Sequence, residues 1–216
     1  MKDIAICGNG GLAREITCLI AALNAVESRW RFIGYFNEYD PDGCCEYGRV
    51  IGGIDQLNAW PTPLDIAIGV GDPAKLAKIS AEITNPLVGL PNLISPAATI
   101  FDPANMRMGR GNVVFPGAVL SCGVRLGDCN FINYGVTVGH DARLGSYNAL
   151  MPGVRISGAA RVGDRCFFGL NSAVLQGLAV ADGARLGAGA ILIRDAEPGR
   201  LYLGIPARAA DNPSRP

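Results

Sequence analysis

Every sixth residue from Met108 to Leu192 is apolar, an unbroken series of fifteen positions filled only by Met, Val, Leu, Ile and Phe. Seven of the fifteen are followed directly by glycine. In a chain that is 49% hydrophobic, chance gives such a run about once in 2^15 trials. A period of six matches neither the 3.6 of a helix nor the 2 of an ordinary strand. It matches a solenoid of parallel β-coils, in which each hexad forms one flat side and turns its apolar residue to the axis. Three hexads close a triangular coil of about 18 residues, so Met108 to Ile193 predicts about five coils. The fold expected for this half is an all-β left-handed parallel β-helix, against the usual right-handed crossover.

Before about Pro96 the pattern is α/β. Asp3 to Cys7 reads as a short apolar strand, followed by the tight loop Gly8-Asn9-Gly10-Gly11 and helical spacing from Ala13 to Asn24. Arg31 to Phe36 and Leu64 to Ile68 read as further strands, Pro73 opens a helix running to about Glu82, and Gly89 to Ile94 supplies another strand. Alternating strands and helices predict a small Rossmann-like parallel sheet in a first domain, residues 1–95. Residues 96–216 form the second domain, the β-helix with a C-terminal cap and a polar, proline-containing tail after Ile193.

Composition removes several classes of function. Net charge is zero and no basic run is interleaved with aromatics, so nucleic acid is not an expected partner. No apolar stretch approaches the roughly 18 residues of a membrane span, and Met1 to Ile4 opens without the basic and apolar regions of a secretory signal. Seven cysteines without CxxC spacing read as small apolar filler in a reducing, cytoplasmic compartment.

Gly8, Gly10 and Ala13 fit G-x-G-x-x-G/A between a strand and a helix, where backbone N–H groups and a helix N-terminus hold phosphate. A nucleotide-linked ligand, a purely structural turn and a dinucleotide are all open readings of this loop. The short domain argues against the last, because it supplies one mononucleotide-sized half. Asn37 and Glu38, after the second strand, stand where a ribose or base is read.

The chain has one histidine, His140, in Thr137-Val138-Gly139-His140-Asp141. A lone histidine is often a satisfied polar group. Here, stacking by 18 places Cys122 below it and Gly158 above it, and glycine has no side chain to cover an imidazole. A neutral imidazole accepts a proton from an attacking amine or hydroxyl, and a neighbouring acid, Asp141, strengthens it as a base. Neighbours on a straight strand point to opposite faces, so this pair requires a bend at a coil corner. One histidine per chain also cannot build the three-histidine zinc site of γ-class carbonic anhydrases, and no metal is expected.

With the hexads, Gly139-His140-Asp141 and the late Leu203-Gly204-Ile205-Pro206-Ala207-Arg208, the chain is similar to the NeuD/PglD/PerB family of bacterial sugar acyltransferases. The similarity runs from Gly8 to Arg208. It implies a homotrimer with active sites between adjacent β-helices, acetyl-CoA lying along the coils, and a nucleotide-linked amino sugar held by the N-terminal domain. It further implies His140 as general base, Asp141 as its acid, the Gly158 N–H as oxyanion donor and Asn133 near the reacting group. Gly10, Gly11, Leu12, Asn37, Glu38 and Gly69 match the family's sugar-nucleotide elements. Gly187, Ala188 and Gly189, with Pro206, Ala207, Arg208 and Gly158, match its CoA-lining segments. Leu12, Ser95 and Ala149 stand where many members carry histidine, and Asn37 replaces one carboxylate of an acidic pair. The expected reaction is acetylation of an amino group for a surface glycan. O-acetylation of a sugar hydroxyl and a non-catalytic trimerisation scaffold are the alternatives.

Overall fold

The computed structural model describes residues 1–210, and the chain divides into two compact units, Met1–Pro96 and Ala97–Pro216. The expected tail from Asp211 to Pro216 lies outside the described residues.

The first unit is a six-stranded sheet. Its strands are β1 (Lys2–Cys7), β2 (Trp30–Phe36), β3 (Cys44–Cys45), β4 (Gly48–Gly52), β5 (Leu64–Ile68) and β6 (Val88–Gly89), in the order β3-β4-β2-β1-β5-β6. All pairings are parallel except the β3–β4 hairpin at one edge. Ile4, Ala5 and Ile6 at its centre are fully buried, as a parallel strand covered on both faces requires. Helix α1 (Gly11–Val26) turns Ala13, Ile16, Leu19 and Ile20 inward, so the apolar spacing marks its buried stripe. The short α2 (Ile54–Asn58) follows β4. Helix α3 (Pro73–Glu82) is capped by Asp72, whose carboxylate accepts from the Ala74 and Lys75 N–H groups, with Pro73 in the first turn.

Two expectations need correction here. Gly89 to Ile94 is not one strand: β6 ends at Gly89, and Leu93–Ile94 is a separate two-residue strand. Pro91 lies between them and has no N–H for a continuous ladder. Within the second unit the coils also begin before Met108, with Thr99–Ile100 already paired to Val119–Leu120.

The second unit is a parallel β-solenoid with three sheets. Two-residue strands pair at a separation of 18 residues, as in Val113 with Phe131, Val119 with Thr137 and Arg125 with Arg143. Of the fifteen apolar residues at period six, all but the half-buried Met108 are buried. Two residues before each lies a second inward row, mostly Ala and Val, that fills the corners. The chain bends just before that row. From position 111 to 189 every sixth residue has positive φ: eight are glycine and six are Cys129, Asp141, Tyr147, Ala159, Arg165 and Asn171.

One corner is polar inside. Asn112, Asn130 and Asn148 are buried at spacing 18, and each Oδ1 accepts the backbone N–H one coil on, from Asn130, Asn148 and Cys166 in turn at 2.8–3.0 Å. At the other corners the matching N–H bonds three residues back within its own turn, as Val154 does to Met151 and Ala160 to Ser157. After Leu192 the spacing fails. Arg185 pairs with Leu201, and the chain reverses so that Leu203 pairs antiparallel with Arg208. This hairpin covers the end of the stack, where open strands would otherwise present an edge.

Candidate functional site

Two groups of residues carry chemistry, one in each unit. In the solenoid, Val138 is buried and fixes the side on which the chain runs, and His140 follows two residues later at the bend. Asp141 is the positive-φ residue of this hexad, at φ 58°. That bend brings two sequence neighbours onto one face: His140 Nδ1 lies 3.0 Å from Asp141 Oδ2. Both side chains are open in the single chain, 52% and 70% exposed. Gly158 lies one coil on, and its φ is outside the left-handed region, so glycine is not needed there for its backbone angles. It is needed for space. A Cβ on Gly158 would sit 2.5 Å from Nε2 and 2.8 Å from Cδ2 and Cε1 of His140. The imidazole therefore rests on the Gly158 backbone, whose N–H has no hydrogen-bond partner among the described residues.

Asn133 is buried, and its carboxamide oxygen accepts the Tyr134 N–H at 2.7 Å. No hydrogen bond joins it to His140 among the described residues. Cys122 is exposed one coil before His140, and its carbonyl accepts the Asp141 N–H.

In the first unit the sheet order places β1 between β2 and β5, so the loops after β1 and β5 meet where chain progression reverses, the usual place for a ligand crevice. Gly8 has φ 100°, and a Cβ on it would lie 3.1 Å from the Gly69 carbonyl oxygen. Gly69 donates its N–H to Cys7, and a Cβ there would lie 2.8 Å from that of Ala13. Gly69 thus lets α1 sit against the sheet. A cavity of about 510 Å³ opens here, lined by Gly8, Asn9, Gly10, Asn37, Glu38 and Gly69 among others. Gly11 and Leu12 belong to the first turn of α1 and not to this wall; their N–H groups have no partner among the described residues. No acidic residue occupies that turn. Asn37 donates to Asn9 Oδ1 at 2.6 Å, and Asn9 donates to Asp40. A carboxylate at position 37 could not make the first of these bonds, so Asn37 braces the loop. Glu38 has no side-chain partner among the described residues and also lines a shallower cavity of about 730 Å³ on its other side, with Arg49 and Gln56.

A family model described as "Hexapeptide repeat of succinyl-transferase" matches residues 159–194. The acetyltransferase domain of PglB from Neisseria gonorrhoeae FA1090, solved in complex with acetyl coenzyme A, is 30% identical, covers 97% of this chain and 99% of that one, and superposes with a TM-score of 0.85. The chain belongs to the NeuD/PglD/PerB-like sugar acetyltransferases. PerB from Caulobacter crescentus, solved in complex with CoA and GDP-perosamine, is similar at 26% identity, 97% and 98% coverage and a TM-score of 0.83. WeeI from Acinetobacter baumannii AYE shares the fold at 20% identity, 97% and 100% coverage and a TM-score of 0.88.

In this sugar acetyltransferase the late segments assemble at the end of the solenoid. Gly189 has φ 68° and an open side, while the Ala207 N–H donates to the Ile191 carbonyl, tying Pro206-Ala207-Arg208 to the last regular coil. A Cβ on Gly187 would overlap Leu203 Cδ2, so that glycine lets the cap hairpin close. Sequence reasoning missed two residues of the first cavity, Lys75 and Lys78. Their three-residue spacing on a helix starting at Pro73 was the available signal, since it puts both on one face. Among the described residues no group of three or more His, Cys, Asp or Glu side chains could hold a metal ion, and no helix is long and apolar enough to cross a membrane.

Proposed function

We propose that this sugar acetyltransferase transfers an acetyl group from acetyl-CoA to the amino group of a nucleotide-linked sugar destined for a surface glycan, with His140 as general base. The observation that carries the reading is the imidazole with Asp141 on one ring nitrogen and Gly158, which has no side chain, close to the other, the Gly158 N–H being without a partner among the described residues. Asp141 accepts from Nδ1–H, which fixes the tautomer and leaves the Nε2 lone pair free. As the amine attacks the thioester carbonyl, Nε2 takes its proton. The carbonyl oxygen becomes an oxyanion, for which the Gly158 N–H is an available donor. Collapse of the tetrahedral intermediate breaks the C–S bond, and the CoA thiolate leaves with the proton that His140 gathered.

The relatives support the substrates: one is solved with acetyl coenzyme A and another with CoA and GDP-perosamine. The reading includes a homotrimer, because His140 and Asp141 stand open in one chain and a neighbour would shield the reaction from water. The deciding experiment follows thiol release from acetyl-CoA across UDP-, GDP- and dTDP-linked amino sugars and the free amino sugars. One nucleotide-linked acceptor should exceed all free sugars in kcat/KM, and light scattering should give three times the 22.6 kDa chain mass. Equal turnover of a free amino sugar would overturn the acceptor; an active monomer would overturn the shared site.

A further inference from the structure

Sequence alone leaves the anion-holding work of the first unit to N–H dipoles, since no Lys or Arg precedes Arg14 in the glycine loop. The cavity has other resources. Four charged side chains line it: Glu38, Lys75, Lys78 and Glu82. Lys78 is engaged by Glu82 at 3.6 Å in an i,i+4 pair, so those two charges largely cancel. Glu38 remains as an anion without a partner. Lys75 remains as a cation without an ion-pair partner among the described residues, and it is exposed at the start of α3. Its own N–H is held by Asp72 Oδ1 at 3.0 Å, which fixes the turn from which the side chain projects.

The charge balance makes Lys75 decisive. Without it the wall would present Glu38 alone beside the Lys78–Glu82 pair, and that net negative charge would repel a diphosphate. With it the wall is neutral and the cation stands in the same cavity as Asn9 and Gly10, whose N–H groups, unlike that of Gly8, are not donated to the backbone. We propose that Lys75 grips the diphosphate of the sugar nucleotide, with the Asn9–Gly10 backbone of the glycine loop as its neutral partner. This assignment rests on the nucleotide-linked acceptor proposed above.

Calorimetric titration tests it, using wild type, Lys75→Ala, Lys75→Arg and the double variant Lys78→Ala/Glu82→Ala with UDP, GDP and dTDP and with the corresponding nucleosides. Lys75→Ala should weaken the preferred diphosphate about tenfold, the lower end for a charge-assisted bond at an exposed site. Nucleoside affinity should not change, arginine should restore most of the loss, and the double variant Lys78→Ala/Glu82→Ala should lose less because removing that pair leaves the net charge unchanged. In steady state, KM for the sugar nucleotide should rise while kcat and the KM for acetyl-CoA stay put. An unchanged diphosphate affinity in Lys75→Ala, alongside clear wild-type binding, overturns the role of Lys75 and leaves the acceptor reading intact. Wild type binding no nucleoside diphosphate overturns both.

Discussion

The two units build their candidate sites by opposite routes. In the α/β unit, residues far apart in sequence (Gly8–Gly10, Asn37–Glu38, Gly69, Lys75) are gathered by the sheet order, and several also hold the fold together. Gly69 spaces α1 from the sheet, and Asn37 braces the glycine loop. In the solenoid, every corner has nearly the same backbone, and the site is one corner whose side chains differ. His140, Asp141 and Gly158 add chemistry to a bend that repeats fourteen times from 111 to 189. A repeat separates stability from function, because neighbouring coils supply the former. A wound sheet fuses them.

His140→Ala gives the largest expected separation: kcat down by roughly 10²–10⁴-fold with the melting temperature unmoved. A variant keeping a third of wild-type kcat would remove His140 from the chemistry. Gly158→Val should follow, with kcat lowered about tenfold or more, because its side chain would meet the imidazole. Gly177→Ala is its control. Gly177 is left-handed at φ 73° with nothing within 4 Å of a Cβ, so that change should cost about 1–2 kcal/mol of stability and spare kcat. If both glycines behaved alike, the solenoid would not separate the two roles.

In the α/β unit the separation should fail. Gly69→Ala should destabilise by about 1–3 kcal/mol through overpacking against Ala13 and Ile6, and should raise the sugar-nucleotide KM in the same variant. A KM change without a lower melting temperature would make Gly69 a pure binding element. The smallest effect concerns buried thiols in both units. Burial pushes Cys7 and Cys166 up to about 12, whereas unfolded thiols ionise near 8.5. A raised native pKa contributes stability that is complete below the unfolded value and is lost as pH rises towards 12, so denaturation midpoints should fall above about pH 9. Cys7→Ala and Cys166→Ala should flatten that slope, and iodoacetamide at pH 8 should label the exposed Cys18, Cys44 and Cys122 first.

What sequence conveyed follows from the same contrast. The inward row was legible because fifteen apolar residues recur without a gap. The bend row escaped because six of its fourteen members are not glycine, and the second inward row because Asn112, Asn130 and Asn148 interrupt its apolar run. His140 with Asp141 was legible as a lone histidine beside an acid, while the bend that pairs them had only been required, not located. Strands β3 and β4 and helix α2 left no periodic mark, because two to five residues are too few to show one. Lys75 was read only as part of a helix start; its place in the cavity depends on which strands neighbour β1.

The asparagine column also sets how this solenoid can change length. The N–H groups of Asn130, Asn148 and Cys166 each take their acceptor from the preceding coil, so a coil cannot be satisfied at that corner by itself. Removing residues 119–136, a full circuit, would set Asn148 onto Asn112 and keep the column continuous. Removing only 119–124 would rotate every later side by one and set Asn130 above Met106, leaving its buried N–H without the Asn112 oxygen at a cost of about 1–3 kcal/mol beyond the lost side. The first deletion should fold and the second should not, as melting curves would report. Growth and loss are thus quantised in whole turns, although the hexad looks like the unit. The dependence also has a direction: a chain emerging N-terminus first finds each acceptor in place before the donor that needs it arrives.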